Sequence, residues 1–418
     1  VKLNLTKEQR KAVDAIISKL NSGGYNNKTT LFREPFVLTV GGYAGTGKTT
    51  LLCEVREEIY KHFPRLSVAF VTFTGKASSV LKSKLDIFNI DYVNDYIGTI
   101  HGLIYKPETK YDPKLKTFVI TGWKLRDEDE LIYDLIIIDE ASMVSKQLWK
   151  DLTKFSIPII GVGDHGQLPP VGDQFNLLNK TDYQLTEIHR QALNSPIIYL
   201  SKMVREEGYI PYNKFFSNEV FKLSWRDDVC KNIWNNRVVF DEDLIVLCGF
   251  NTTRCYLNEQ IRKKLSHKKK IPYPGERIVC LANNHNTKIM NGQIGTLQWV
   301  MPENLGLYRM TIDMGNSNFI ECMVSNKCFG EVTYTMFDKS KRSKEQYKYT
   351  VKKGLLQVDF FDYGYAMSVH KSQGSEWEKV VVFEQRSKYW DDEMYARWLY
   401  TAITRASKKL FIISDYYG

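Results

Sequence analysis

The spacing of apolar and polar positions changes character along the chain. Over the first half, uninterrupted apolar runs, FVLTV (36 to 40), SVAFVTFT (67 to 74), LIIID (135 to 139) and IPIIGVGD (157 to 164), alternate with stretches of helical periodicity such as LTKEQRKAV. Strands buried on both faces and followed by crossover helices give this rhythm, so a doubly wound parallel sheet is expected. Between His101 and Tyr133 the rhythm gives way to a polar, turn-rich segment, which predicts a small insertion at 103–133. A second rhythm follows with DLIVLCGFN (243 to 251), VDFFDYGYAMSV (358 to 369), EKVVVFE (378 to 384) and LFIISDY (410 to 416). Before its later runs come PGERIVCLANN, NGQIGTLQWV, LYRMTIDM and NFIECMV, short alternating strands with Gly and Asn turns that predict a small β-barrel. The expected boundaries are 1–102 with 134–192 for the first α/β domain, 193–272 with 356–418 for the second, and 273–355 for the inserted barrel. The basic run DKSKRSKEQYKYTVKK (338 to 353) reads as a solvated hairpin, open also to following a phosphate backbone.

Composition narrows the picture only a little. The 418 residues suffice for two or three domains, at roughly 150 residues each. A formal net charge of +10 favours a polyanionic partner, since Lys and Arg gain affinity by releasing counterions from phosphate backbones. The seven cysteines are scattered without a C-x-x-C pair, which reads as reduced thiols and no zinc site. The amphipathic start and the lack of a long apolar run lead to an expectation of a cytoplasmic protein, of a bacterium or a phage-infected host, with no membrane partner.

The chemistry begins at GGYAGTGKTT, residues 41 to 50, which joins an apolar strand to a helix. Gly42, Gly47, Lys48 and Thr49 fit the phosphate-loop pattern G-x-x-x-x-G-K-[ST]. Backbone amides wrap the phosphates, Lys48 reaches the terminal ones, and Thr49 offers a hydroxyl to magnesium. Gly45, Thr46 and Thr50 belong to the same cradle. Asp139 and Glu140 end the strand LIIID; read alone they cap a helix, but downstream of a phosphate loop they become a metal ligand and a base for an attacking water. Asp164 and Gln167, in GVGDHGQLPPVG, end another strand and are positioned to sense a γ-phosphate. Arg190 in LTEIHRQ and Arg405 in LYTAITRA are candidates to stabilise transition-state charge.

Six stretches in this order and spacing resemble superfamily 1 helicases. SVHKSQGSEWEKVVVF with LYTAITRA is similar to the RecD branch and the phage Dda helicases, that is, to superfamily 1B. HKSQG separates this branch from the UvrD and Rep type, which has KGLE there. The resemblance implies two RecA-like motor domains, a strand-separating pin in the first insertion and an SH3-like barrel in the second domain, where NGQIG (291 to 295) resembles the barrel's opening. It implies ATP and Mg2+ as cofactors, with Gln9 reading adenine, Lys48, Thr49 and Asp139 on phosphate and metal, Glu140 activating water, and Gln167 linking nucleotide state to the DNA track. Arg190 and Arg405 would complete hydrolysis when the nucleotide cleft closes, with Gly374 and Glu376 lining that cleft. The strand track would use Thr74, Lys76, Thr99 and His101 in the first domain, and Asn251, Thr252, Ser368, His370 and Lys371 in the second; Phe118 is the candidate tip of the pin.

The expected function is therefore an ATP-dependent 5′-3′ DNA helicase serving replication, recombination or repair. It would act as a monomer on single-stranded DNA and on junctions with duplex, with replication or recombination proteins as further partners. Two alternatives stay open: an RNA helicase of the same branch, and a P-loop regulatory or loading protein that binds nucleic acid without processive movement. The joint presence of Glu140, Gln167, Arg190, HKSQG and Arg405 argues against the second, because a pure switch needs no second arginine-bearing domain.

Overall fold

The computed structural model describes residues 5–22, 35–87, 94–112, 117–170, 175–188, 195–212, 214–284, 289, 291–315, 318–333, 341–355 and 357–415. They fall into two compact units, Val1–Lys202 and Met203–Gly418.

The described strands of the first unit are β1 (Val37–Gly42), β2 (Val68–Thr72), β3 (Tyr96–Thr99), β4 (Tyr105–Asp112), β5 (Thr117–Leu125), β6 (Leu135–Ile138), β7 (Ile159–Gly163) and β8 (Tyr183–Leu185). Six of them form one parallel sheet in the order β3-β2-β6-β7-β1-β8. Successive side chains of a strand point to opposite faces, so a continuous apolar run feeds two cores. Val68, Phe70, Leu135, Ile137, Ile160 and Val162 pack with Val13, Ile16, Leu51 and Ile59 of helices Lys7–Ser22 and Lys48–His62. Ala69, Val71, Ile136, Ile138 and Ile159 pack on the other face with Ile100, Leu103, Leu148 and Leu152. The insertion is an antiparallel hairpin, β4 with β5, that leaves directly after the short helix Ile100–Ile104 and sets Phe118 opposite Tyr111.

In the second unit, β9 (Lys214–Phe215), β10 (Val220–Ser224) and β11 (Leu244–Cys248) precede β12 (Arg277–Cys280), β13 (Ile294–Glu303), β14 (Leu307–Asp313) and β15 (Phe319–Ser325). After them come β16 (Val358–Asp359), β17 (Phe361–Tyr363), β18 (Ala366–Ser368), β19 (Trp377–Phe383) and β20 (Ala406–Ser414). One sheet has the order β18-β11-β19-β20-β10-β9, parallel except at its edge strand β9. The other has the order β16-β15-β14-β13-β12-β17. Its two outermost strands, β16 and β17, are separated in the chain by Phe360 alone, so the sheet curls until its edges nearly meet.

Two sequence readings change here. The run VDFFDYGYAMSV does not form one strand of the parallel sheet: Val358–Tyr363 pairs with β15 and β12 of the curled sheet, and only Ala366–Ser368 joins β11. The pairing carries the barrel to Tyr363, beyond the expected boundary at 355. The basic run is a helix over Lys341–Lys352, not a hairpin. Among its described side chains the buried ones are Gln346 and Thr350, one turn apart, and Gln346 Nε2 donates to Leu305 O at 2.9 Å.

The curled sheet shares its core with the parallel sheet. Val246, Cys248, Leu257 and Ile261 belong to the same apolar cluster as Ile278, Met310, Ile312 and Phe361. Ion pairs reinforce that contact: Arg254 with Asp362, and Arg262 with Glu276 at 2.7 Å, the Arg262 guanidinium lying 3.9 Å from the Tyr363 ring centre. No described helix is long and apolar enough to cross a membrane.

Candidate nucleotide site and strand-binding edges

β1 runs into the loop of residues 43–47 and then into helix Lys48–His62. The turn needs its glycines. Gly45 and Gly47 hold φ of +81° and +73°, where a Cβ is strained, and a Cβ on Gly42 would lie 2.6 Å from Thr46 Oγ1. Thr46 Oγ1 donates to Tyr43 O at 2.8 Å, closing the loop on itself. Gln9 is fully buried beneath it, its Nε2 donating to Thr46 O (3.0 Å) and Gly47 O (3.2 Å), so the first helix braces the cradle. Lys48 Nζ donates to Gly42 O (2.8 Å) and Tyr43 O (3.0 Å), and Asp164 Oδ2 stands 3.8 Å away. Thr50 follows Thr49 on the first turn of that helix.

Asp139 and Glu140 lie just past β6. The Asp139 Oδ1 accepts the Glu140 amide at 2.9 Å. Burial, and next the Glu140 carboxylate, push the Asp139 carboxyl well above the usual range, against the opposing charges of Lys48 and Lys84. Glu140 takes φ +55°, a left-handed conformation that costs a side-chain-bearing residue about 1 kcal/mol. Its Oε2 is buried with no hydrogen-bond partner among the described residues, and so is Ser142 Oγ. Backbone strain and unspent polar capacity thus coincide at Glu140. Asp164, at the end of β7, is fully buried and accepts the Gly166 amide at 2.9 Å; Gln167 is 3% exposed and donates its amide to Asp164 O.

Lys84 escapes sequence reasoning. It sits on helix Gly75–Ile87 among other lysines, yet its Nζ reaches Thr49 Oγ1 at 3.5 Å and its charge opposes the Asp139 shift. An ammonium thus stands where Thr49 and Asp139 could share a cation. No group of three or more His, Cys, Asp or Glu able to hold a metal occurs among the described residues. This donor set suits a magnesium ion that takes its remaining ligands from water and phosphate, as magnesium prefers. Glu8 is also missed: its carboxylate accepts the amides of Thr186 and Glu187, fixing the segment that leads toward residue 190. Arg190 itself lies outside the described residues.

The strand candidates of the first unit occupy the same carboxyl edge, two strands further along. β2 and β3 end in register, Thr72 opposite Thr99. Thr74 Oγ1 accepts the Ala77 amide (3.2 Å) and Thr99 Oγ1 the Gly102 amide (3.1 Å), each capping a helix. Lys76 is half-buried, while His101 is exposed between Phe73 and Tyr105, with ring centres 5.9 and 5.7 Å away. Phe118 is described only by its backbone place on β5.

In the second unit the candidates separate into two groups. β11 and β18 end in register, Cys248 opposite Ser368, which brings Asn251 and Thr252 near Ser368, His370 and Lys371 at one carboxyl edge. Asn251 and Thr252 are exposed. Burial lowers the His370 pKa, and burial with the nearby Arg254 lowers that of Lys371. Gly374, at φ +71°, and the exposed Glu376 lie instead beside the start of β19, where Trp377 pairs with Ala406. Arg405 is there too, 5% exposed, donating to Thr401 O (3.1 Å), Ser375 O (3.0 Å) and Thr404 Oγ1 (3.2 Å).

The chain is similar to several known proteins. Residues 4–210 match the family described as AAA domain, and residues 363–413 the UvrD-like helicase C-terminal domain. The chain is 24% identical to the ATP-dependent DNA helicase dda of Enterobacteria phage T4, over 90% of this chain and 94% of the relative. It is also 24% identical to an uncharacterized protein of Methanocaldococcus jannaschii, over 90% of this chain but only 36% of that relative's length. Among solved structures, the Pif1 helicase from Bacteroides in complex with ADP-AlF3 and ssDNA has the same fold, with a TM-score of 0.54 at 20% identity, covering 100% of this chain and 94% of that one.

Proposed function

The chain belongs to the RecD-like, Dda-like branch of superfamily 1B helicases, and we propose that it is an ATP-dependent DNA helicase that moves 5′ to 3′ along single-stranded DNA and opens duplex ahead of it. The observation that carries this reading is the shared edge of the first sheet. Lys48, Asp139, Glu140 and Asp164 follow β1, β6 and β7, while Thr74, Lys76, Thr99 and His101 follow the neighbouring β2 and β3. A change in what the first group holds is thereby one rigid sheet away from the second.

In this reading Lys48 and the amides of the glycine loop bind the phosphates, and Thr49 and Asp139 hold magnesium, whose charge screens the phosphates when it is bound. Glu140 takes the proton of the attacking water, Gln167 reports the nucleotide state, and Arg190 and Arg405 neutralise charge as it spreads. Gln9, Gly374 and Glu376 contribute to nucleotide binding. Hydroxyls, amides and cations at the edge of β2 and β3, and at that of β11 and β18, grip phosphates without reading bases, as sequence-neutral movement requires. Nucleotide state then shifts the population between tight and weak grip. Single strands, junctions with duplex, monomeric action and replication or recombination partners belong to the same proposal, with Phe118 on the hairpin as the candidate pin.

The test is the rate of ATP hydrolysis by the whole chain alone, with poly-dT and with poly-U. Strong stimulation by poly-dT and weak stimulation by poly-U is expected. Stimulation by poly-U at least as strong would make it an RNA helicase, and stimulation by neither would turn it into a regulatory or loading protein.

A further inference from the structure

The carboxyl ends of β11 and β19 carry an aromatic and basic surface that the residues above leave unexplained. The loop 384–391 is tied to the turn that bears Asn251 and Thr252. The Gly249 amide donates to Gln385 Oε1 at 2.9 Å, and Gln385 Nε2 donates to Thr253 Oγ1 at 2.8 Å. The Phe250 ring stacks on Trp390 at 6.1 Å and 27°, and Trp390 packs against the fully buried Trp398 at 6.0 Å. This aromatic column roots the loop in the core of the unit.

Next to Trp390 in the chain, Tyr389 is 83% exposed, the most exposed of the large apolar side chains among the described residues. Lys388 Nζ lies 5.1 Å from its ring centre, and Lys388 makes no ion pair among the described residues. The carboxylates nearby are already engaged: Asp391 accepts the Met394 amide, Asp392 pairs with Arg386 and Glu393 with Arg397. What the loop offers is an exposed ring next to the rooted Trp390, with a lysine over it that no described carboxylate pairs. Folding gains nothing from a ring in water, whereas a base stacked on that ring next to a phosphate on the cation uses both groups.

We propose that Tyr389 is a base-stacking contact for the single strand held at the carboxyl edge of β11 and β18, and that Lys388 takes an adjacent phosphate. This rests on the reading of the chain as a motor on single strands. It adds a contact that is blind to sequence, because every base has a π-face.

The experiment measures equilibrium binding, by fluorescence anisotropy without nucleotide, of the whole chain to an oligothymidylate and to an abasic strand of equal length. Tyr389→Ala should weaken oligothymidylate binding by about 5- to 100-fold and leave abasic binding unchanged; Tyr389→Trp should restore the loss. Equal weakening on both strands would make Tyr389 a structural or phosphate-side residue and overturn the proposal. Unweakened oligothymidylate binding by Tyr389→Ala, with the wild type binding well, overturns the stacking role and leaves the motor reading standing. A wild type that binds neither strand overturns both.

Discussion

The Nζ of Lys48 stands 3.8 Å from the fully buried Asp164 Oδ2, while donating to two carbonyls of its own loop. The ammonium is thereby held across the mouth of the cradle by partners that a phosphate can replace. The residues proposed to grip the strand are different ones. Lys48→Ala is therefore expected to abolish ATP hydrolysis while single-strand binding without nucleotide survives. Filter binding beside a phosphate-release assay checks this, and loss of both in a folded protein would contradict the separation of the sites.

Glu140 combines a left-handed backbone with a buried Oε2 that has no hydrogen-bond partner among the described residues. Glu140→Gln should retain nucleotide binding but cut turnover by roughly 10²- to 10⁴-fold, since only the base is lost. Glu140→Gly should be equally inactive yet more stable, by about 1 kcal/mol, because glycine accepts the positive φ. Denaturant melts and single-turnover hydrolysis on the two variants separate these effects. A Glu140→Gln enzyme with near-normal turnover would remove this residue from the base role.

Arg405 donates to two backbone carbonyls and a hydroxyl of its own unit, so it has a structural duty besides any catalytic one. Arg405→Ala should lower turnover by roughly 10³- to 10⁵-fold with little change in nucleotide affinity, and should also lower the melting temperature. Arg405→Lys keeps one donor and a charge and should recover part of the stability but little of the rate, a fork being unlike a point charge. A change confined to KM would assign the residue to ground-state binding.

Asp359, in the curled sheet, accepts hydrogen bonds from Asn284 and Gln357, yet burial pushes its pKa from 3.8 to about 6. A carboxyl whose folded pKa is raised stabilises the fold fully below its unfolded pKa, and that contribution is lost as pH rises through about 6. At about 1.4 kcal/mol per pKa unit the charged form costs up to about 3 kcal/mol. Asp359→Asn is thus expected to raise the melting temperature at pH 7.5 and to change it little near pH 4. Equal effects at both values would show that Asp359 is not protonated in the acidic fold.

The parallel strands were legible because burial on both faces leaves an uninterrupted apolar run, as in LIII of β6. The same rule misled at VDFFDYGYAMSV, where residues of a curled sheet and a parallel sheet are both covered, Ser368 only partly, and read alike. The helix Lys341–Lys352 was hidden because, among its described side chains, the buried ones are the polar Gln346 and Thr350, which carry no apolar signal. The nucleotide-binding candidates could be named because glycine spacing and a strand-ending Asp-Glu are local signals. Lys84 and Tyr389 could not, since a lysine on a helix and a tyrosine in a loop acquire meaning only from what folding brings beside them.

Displacement of streptavidin from one or the other end of a biotinylated single strand shows whether the chain moves along DNA using ATP. ATP-dependent displacement from the 3′ end, with none from the 5′ end, is expected. Displacement from the 5′ end alone would reverse the direction of movement, and none from either end, with ATP being hydrolysed, would contradict the motor itself.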